Sequence, residues 1–190
     1  SVFFIMLLIL LPLCGNIDYV LGLWLVDVPA HTANFVVLVL LYSLLDGILT
    51  PIAIGVFAQG EIKAYEIALC IIYAVNFIAS YVCLKLGMAP ETVFVLNIAF
   101  KACVLADLLV HSKAKYAFPV HAFLKQCLLP SAVVFVLSGA FTYFMPWETP
   151  NSFWEFLLHT LAIIICTSLM ALAIGMTKGE RLFLKKNLAG

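Results

Sequence analysis

Long apolar runs separated by short polar breaks fill this chain from end to end. The runs lie at about 2–13, 33–57, 67–84, 92–110, 126–146 and 154–176. Most approach the roughly 20 apolar residues that a helix needs to cross a bilayer. The first is shorter and reads as a span already under way at residue 1. None of the runs alternates polar and apolar positions in segments of about ten residues, as the strands of a membrane barrel do. In hydrocarbon every backbone N–H and C=O needs an internal partner, so solidly apolar runs of this kind must be helices. The pattern predicts an all-α fold, a polytopic transmembrane helical bundle of about six spans.

Composition agrees. Hydrophobic residues make up 65% of the 190 and charged residues 11%. A soluble domain is about a quarter charged, and a monomer this apolar would present large bare patches to water. The formal net charge is zero, so the global field that gathers nucleic acid is missing and no nucleic-acid partner is expected. The bilayer itself is the first partner implied.

The few basic residues set the orientation. Lys63, Lys113, Lys115, Lys125, Lys178, Arg181, Lys185 and Lys186 all fall in connections on one side of a six-span parse, and only Lys85 falls on the other. That segregation places the C-terminus in the cytoplasm. It divides the chain into transmembrane helices over 1–110, a basic cytoplasmic connection over 111–125, two further helices over 126–176 and a basic cytoplasmic tail over 177–190. Tyr19, Trp24, Trp147 and Trp154 gather at span ends on the opposite side, where amphipathic rings prefer the interface. Cysteines placed at Asn16 or Thr149 are therefore expected to react with an impermeant thiol reagent outside the cell. Cysteines at Lys115 or Lys186 should react only after the membrane is opened, and labelling of position 115 from outside would overturn the parse.

Against this background the polar residues inside the spans carry the chemical interest. A charged side chain at mid-membrane costs about 2.5–3.5 kcal/mol on insertion scales, and such residues usually face a partner or a water-filled cavity. Asp46 lies about 13 residues into the second span and Lys101 about 9 into the fourth, both counted from the same side. At about 1.5 Å per residue their depths differ by only about 6 Å, within reach of each other. Tyr42, Ser43 and Thr50 share a helix face with Asp46, and Asn97 shares one with Lys101. In the third span Tyr73, Asn76 and Ser80 form a similar stripe. Asp46, Lys101, Asn97, Asn76, Tyr42, Ser43 and Thr50 are thus the candidate cavity residues. A buried Asp46–Lys101 pair that only locks the bundle is the competing reading.

No catalytic or metal-binding constellation accompanies them. The six cysteines fall in or beside apolar runs without CxxC spacing and read as small buried hydrophobes. His31, His111 and His121 fall in connections, and no HExxH, GxSxG, P-loop or GxGxxG motif occurs. No enzymatic activity, cofactor or metal is expected.

One polar break is more specific. The segment "PIAIGVFAQGEIKAYEIALCIIYAVNF" is an inward span, then a turn with Gly60, Lys63 and Tyr65, then a span carrying Asn76. It resembles the polysaccharide-precursor flippases, the O-antigen and capsule repeat-unit transporters of the multidrug/oligosaccharidyl-lipid/polysaccharide exporter superfamily. "PLCGNIDYVLGLWLVDVPAHTANFVVLVLLYSLLDGILTP", "YVCLKLGMAPETVFVLNI" and the ending "GMTKGERLFLKKNL" resemble further stretches of that family. The resemblance implies the C-terminal lobe of a two-lobe transporter like those of multidrug and toxic-compound extrusion, with an N-terminal lobe of the same polypeptide preceding it. It also implies a bacterial inner-membrane location and an undecaprenyl-pyrophosphate-linked oligosaccharide as substrate. Lys101, the one mid-membrane cation, is the residue it implies for meeting the pyrophosphate.

Other functions stay open. A drug/cation antiporter of the same superfamily would use a carboxylate, which Asp46 could supply. An O-antigen polymerase would show a long outer loop with arginines, and residues 14–32 contain none. A membrane acyltransferase would bury a histidine in a span, and His159 comes nearest. A purely structural membrane subunit is the remaining alternative.

Overall fold

The computed structural model describes residues 2–58, 60, 62–116, 119–144, 150 and 152–175. Within them the chain is all-helical: α1 Val2–Gly15, α2 Ile17–Trp24, α3 Thr32–Phe57, α4 Ile62–Lys85, α5 Glu91–Tyr116, α6 Val120–Phe123, α7 Leu129–Phe144 and α8 Phe153–Met170. A π-helical turn, Leu124–Leu128, joins α6 to α7, and another, Ala171–Gly175, extends α8. Five stretches are long and apolar enough to cross a membrane, and α1 with α2 makes a sixth only if a pair bent by 79° is counted as one span. The protein is membrane-spanning. Thr149, Trp147 and the basic tail with Lys178, Arg181, Lys185 and Lys186 lie outside the described residues, as does the Lys115 side chain.

The chain packs as two units, Val28–Pro119 and the combination of Ser1–Asp27 with Val120–Gly190. In the first, α5 lies between α3 and α4 and packs against both. Its inward residues Val104 and Leu108 are almost wholly buried. The central position of α5 matters below, because it carries Lys101. Turns between these helices are tight. Gly60 and Gly87 adopt φ of +83° and +78°, a left-handed conformation that a Cβ would strain. Gly60 thus permits the tight reversal between α3 and α4. The Tyr65 ring is buried and meets Phe57 edge-on, with centroids 5.5 Å apart, so it packs the turn closed.

In the second unit α1, α7 and α8 pack against one another. Gly15 permits their close approach, since a Cβ there would fall 2.8 Å from Thr142 Cγ2 and 3.1 Å from Ile163 Cδ1. Asn16, expected in an exposed connection, is instead buried. Its Nδ2 donates to the Pro12 carbonyl at 3.0 Å, where α1 ends. Exposed Asp18, next along α2, is the better labelling position for that side.

Prolines act differently in the two units. Pro51 sits inside α3 without interrupting it, although it has no N–H for the Gly47 carbonyl. Pro130 follows directly on the wide turn, where the Leu129 N–H reaches back five residues to Leu124 O. A proline that offers no donor to the Gln126 carbonyl is the physical reason for a locally widened helix there. The six cysteines are free, and all are half-buried or exposed. Cys14, Cys83 and Cys166 are half-buried, whereas Cys70, Cys103 and Cys127 are exposed and so are not the buried thiols expected from the sequence.

Candidate functional site

The site lies on the three helices α3, α4 and α5. Lys101 projects from the central one, and its side chain is only 8% exposed. Nζ lies 2.5 Å from Asp46 Oδ1 on α3. It also donates to the Tyr42 hydroxyl at 3.3 Å and stands 4.9 Å from the centroid of the same ring. Tyr42 and Asp46 are four residues apart and so share a helix face. One turn of α3 therefore presents both an anion and an aromatic hydroxyl to the ammonium. Tyr73 on α4 is close enough to interact with both Lys101 and Tyr42, so all three helices contribute.

The pair is lopsided in its surroundings. Asp46 has 47% of its side chain exposed, whereas Lys101 is enclosed. A buried ammonium has three donors and no acceptor, and Asp46 and Tyr42 take two of them. Lys101 is enclosed on the central helix, whereas Asp46, on a flanking helix, keeps an open side.

One turn before Lys101, Asn97 meets Asn76 across α5 and α4. Asn76 Nδ2 donates to Asn97 Oδ1 at 2.5 Å. Asn76 is buried, and its own Oδ1 has no donor in the structure. A buried acceptor left unpaired costs about 1–3 kcal/mol, so this amide is open to a water or a ligand donor. Thr50 and Ser43 are occupied closer to home. Thr50 Oγ1 donates to its own helix at Asp46 O, 2.9 Å, with Asp46 Oδ2 at 3.5 Å. Ser43 Oγ donates to Val39 O at 2.9 Å.

Of the seven candidates, then, Asp46, Tyr42 and Lys101 form one cluster and Asn76 with Asn97 a second, one helical turn away. Thr50 borders the first cluster. Ser43 is satisfied by its own backbone. Tyr73 joins the cluster in space; the sequence signal for it was its place on the Asn76 stripe.

Among the described residues no three or more of histidine, cysteine, aspartate and glutamate come together to hold a metal ion. The arrangement offers a fixed positive charge, a half-exposed counter-ion, aromatic hydroxyls and amides. It can recognise an anion that competes with Asp46, or a cation that competes with Lys101. The chain matches no known protein-family model, no curated protein and no solved structure.

Proposed function

We propose that this chain belongs to a flippase that moves undecaprenyl-pyrophosphate-linked oligosaccharide units across the bacterial inner membrane for surface polysaccharide biosynthesis. The observation that carries the reading is the enclosed Lys101 paired with a half-exposed Asp46 between apolar spans. A structural lock would be expected to enclose both partners. Here the carboxylate is left at the edge, where an incoming pyrophosphate can displace it and take over the ammonium. The open Asn76 acceptor nearby suits a hydroxyl-rich head group.

On this reading the chemistry is conformational. The head group enters a polar cavity between this lobe and an N-terminal lobe of the same polypeptide, while the lipid tail stays in the bilayer. Alternating access then exchanges the cavity between the two faces of the membrane. The distribution of lysine and arginine supports a cytoplasmic C-terminus on this reading.

The exposed carboxylate also supports a second reading, a drug/cation antiporter in which a cation replaces Lys101 at Asp46. Binding to the purified protein in lipid nanodiscs separates the two. Undecaprenyl pyrophosphate should bind, undecaprenyl monophosphate should bind less tightly, and Lys101→Met should lose the preference between them. Binding of a hydrophobic organic cation that depends on Asp46, with no response to the pyrophosphate, would replace the flippase reading by the antiporter.

A further inference from the structure

The segment after α1 cannot continue a membrane span. α2 is bent by 79° from α1, so its rise of about 12 Å advances only about 2 Å along the α1 direction. The bend is held in place. Asn16, buried at the junction, donates from both its backbone N–H and its Nδ2 to the Pro12 carbonyl, and its own carbonyl accepts from Val20 N–H as α2 begins.

The junction reaches Ile163 of α8 from Gly15, and from there α2 leads toward one end of the packed helices. Gly15 approaches Thr142, which lies in the last turn of α7. Tyr19 stacks on Phe156 at 5.0 Å between centroids, and Phe156 lies in the first turn of α8. Since α1, α7 and α8 are packed apolar helices and α2 is bent by 79° from α1, α2 runs transverse to the bundle near the start of α8.

Its residues are sorted to match. Ile17, Val20, Leu21 and Trp24 fall on one face of α2, and Asp18 with Gly22 on the other. Beyond the helix the chain turns extended at Leu25 and remains apolar through Val26. Leu23 is 59%, Trp24 85% and Val26 fully exposed, an arrangement that water would penalise. Lipid would not.

We infer that α2 and the following Leu25–Val26 form an interfacial foot, lying on the bilayer with Trp24 seated at the boundary of head groups and acyl chains. A helix of this kind buries its apolar face about 5–10 Å into that boundary. Residues 14–32 contain no lysine or arginine, so the contact is apolar and needs no anionic lipid. This inference is independent of the transport reading.

The test uses the full chain with Trp147 and Trp154 changed to phenylalanine, which leaves Trp24 as the sole tryptophan. It is reconstituted in phosphatidylcholine vesicles brominated either near the glycerol end or near the methyl end of the acyl chains. Trp24 emission should be blue-shifted, poorly quenched by acrylamide, and quenched about twofold more by the shallow bromines than by the deep ones. Adding anionic lipid should leave that ratio unchanged. Stronger quenching by the deep bromines would mean that α2 enters the hydrocarbon core and would overturn the inference. So would quenching by neither bromine, which means that protein or water covers Trp24. Should the double phenylalanine variant fold poorly, the parent chain minus its Trp24→Phe variant yields the same ratio with the other two tryptophans intact.

Discussion

Changing Lys101 to methionine in the full-length protein should lower transport of the lipid-linked oligosaccharide about 10- to 100-fold, the worth of one charge-assisted hydrogen bond of about 1.5–3 kcal/mol. Amounts of protein in the membrane should stay near normal, because the carboxylate left behind is half-exposed. Lys101→Arg keeps the charge while changing its shape and hydration, and partial activity is expected. The informative comparison is the Lys101→Met/Asp46→Leu double variant. If the pair were only a lock, that variant would fold and transport normally, since apolar replacement of a buried pair is often neutral or stabilising. If Lys101 meets the pyrophosphate, the double variant stays inactive however well it folds. Transport by a stable double variant at the parent rate would end the substrate role.

Asp46→Leu alone should be the more damaging change to stability, and the asymmetry follows from geometry. It leaves Lys101 enclosed on the central helix with no carboxylate beside it and only the neutral hydroxyls of Tyr42 and Tyr73 nearby among the described residues. Stranding one member of a buried pair costs about 3–5 kcal/mol. Lys101→Met strands a carboxylate that is nearly half open, where screening reduces the cost to a small fraction of that. Thermal unfolding in a mild detergent should therefore rank the parent and Lys101→Met close together, with Asp46→Leu well below. Adding Lys101→Met to Asp46→Leu should recover most of the loss. The reverse ranking, with Lys101→Met the weaker protein, would mean that the open side of Asp46 faces lipid rather than water. The cavity assigned to this site would then be lost.

Much of the architecture was legible in order along the chain. Apolar runs of spanning length leave the backbone no choice but helix, and the three interior polar stripes could be read from spacing alone. The meeting of Asp46 with Lys101 was also within reach of arithmetic, because depth along a spanning helix is simply residue count times rise. Gly60 announced its turn, as only glycine takes a positive φ without strain.

Rotation and partnership were not legible. A helix that is apolar on every side carries no periodic mark of which face meets which neighbour, and α1 is of that kind. So the sequence could align Tyr42, Ser43 and Thr50 with Asp46, but only packing showed Tyr42 turned to Lys101 and Ser43 spent on Val39 O. It could put Asn76 and Asn97 on stripes, but not pair them, nor leave Asn76 Oδ1 open. Tertiary structure likewise gathered α1 with α7 and α8, enclosed Lys101 by setting α5 between two helices, and turned α2 across the end of α1 through Asn16. By itself the sequence determined which residues form the apolar, span-length helices and how far along each helix a polar residue lies, since hydropathy and rise are local properties. Which of them face each other was decided by contacts between helices, where side-chain shape and hydrogen bonding choose among faces that hydropathy leaves equivalent.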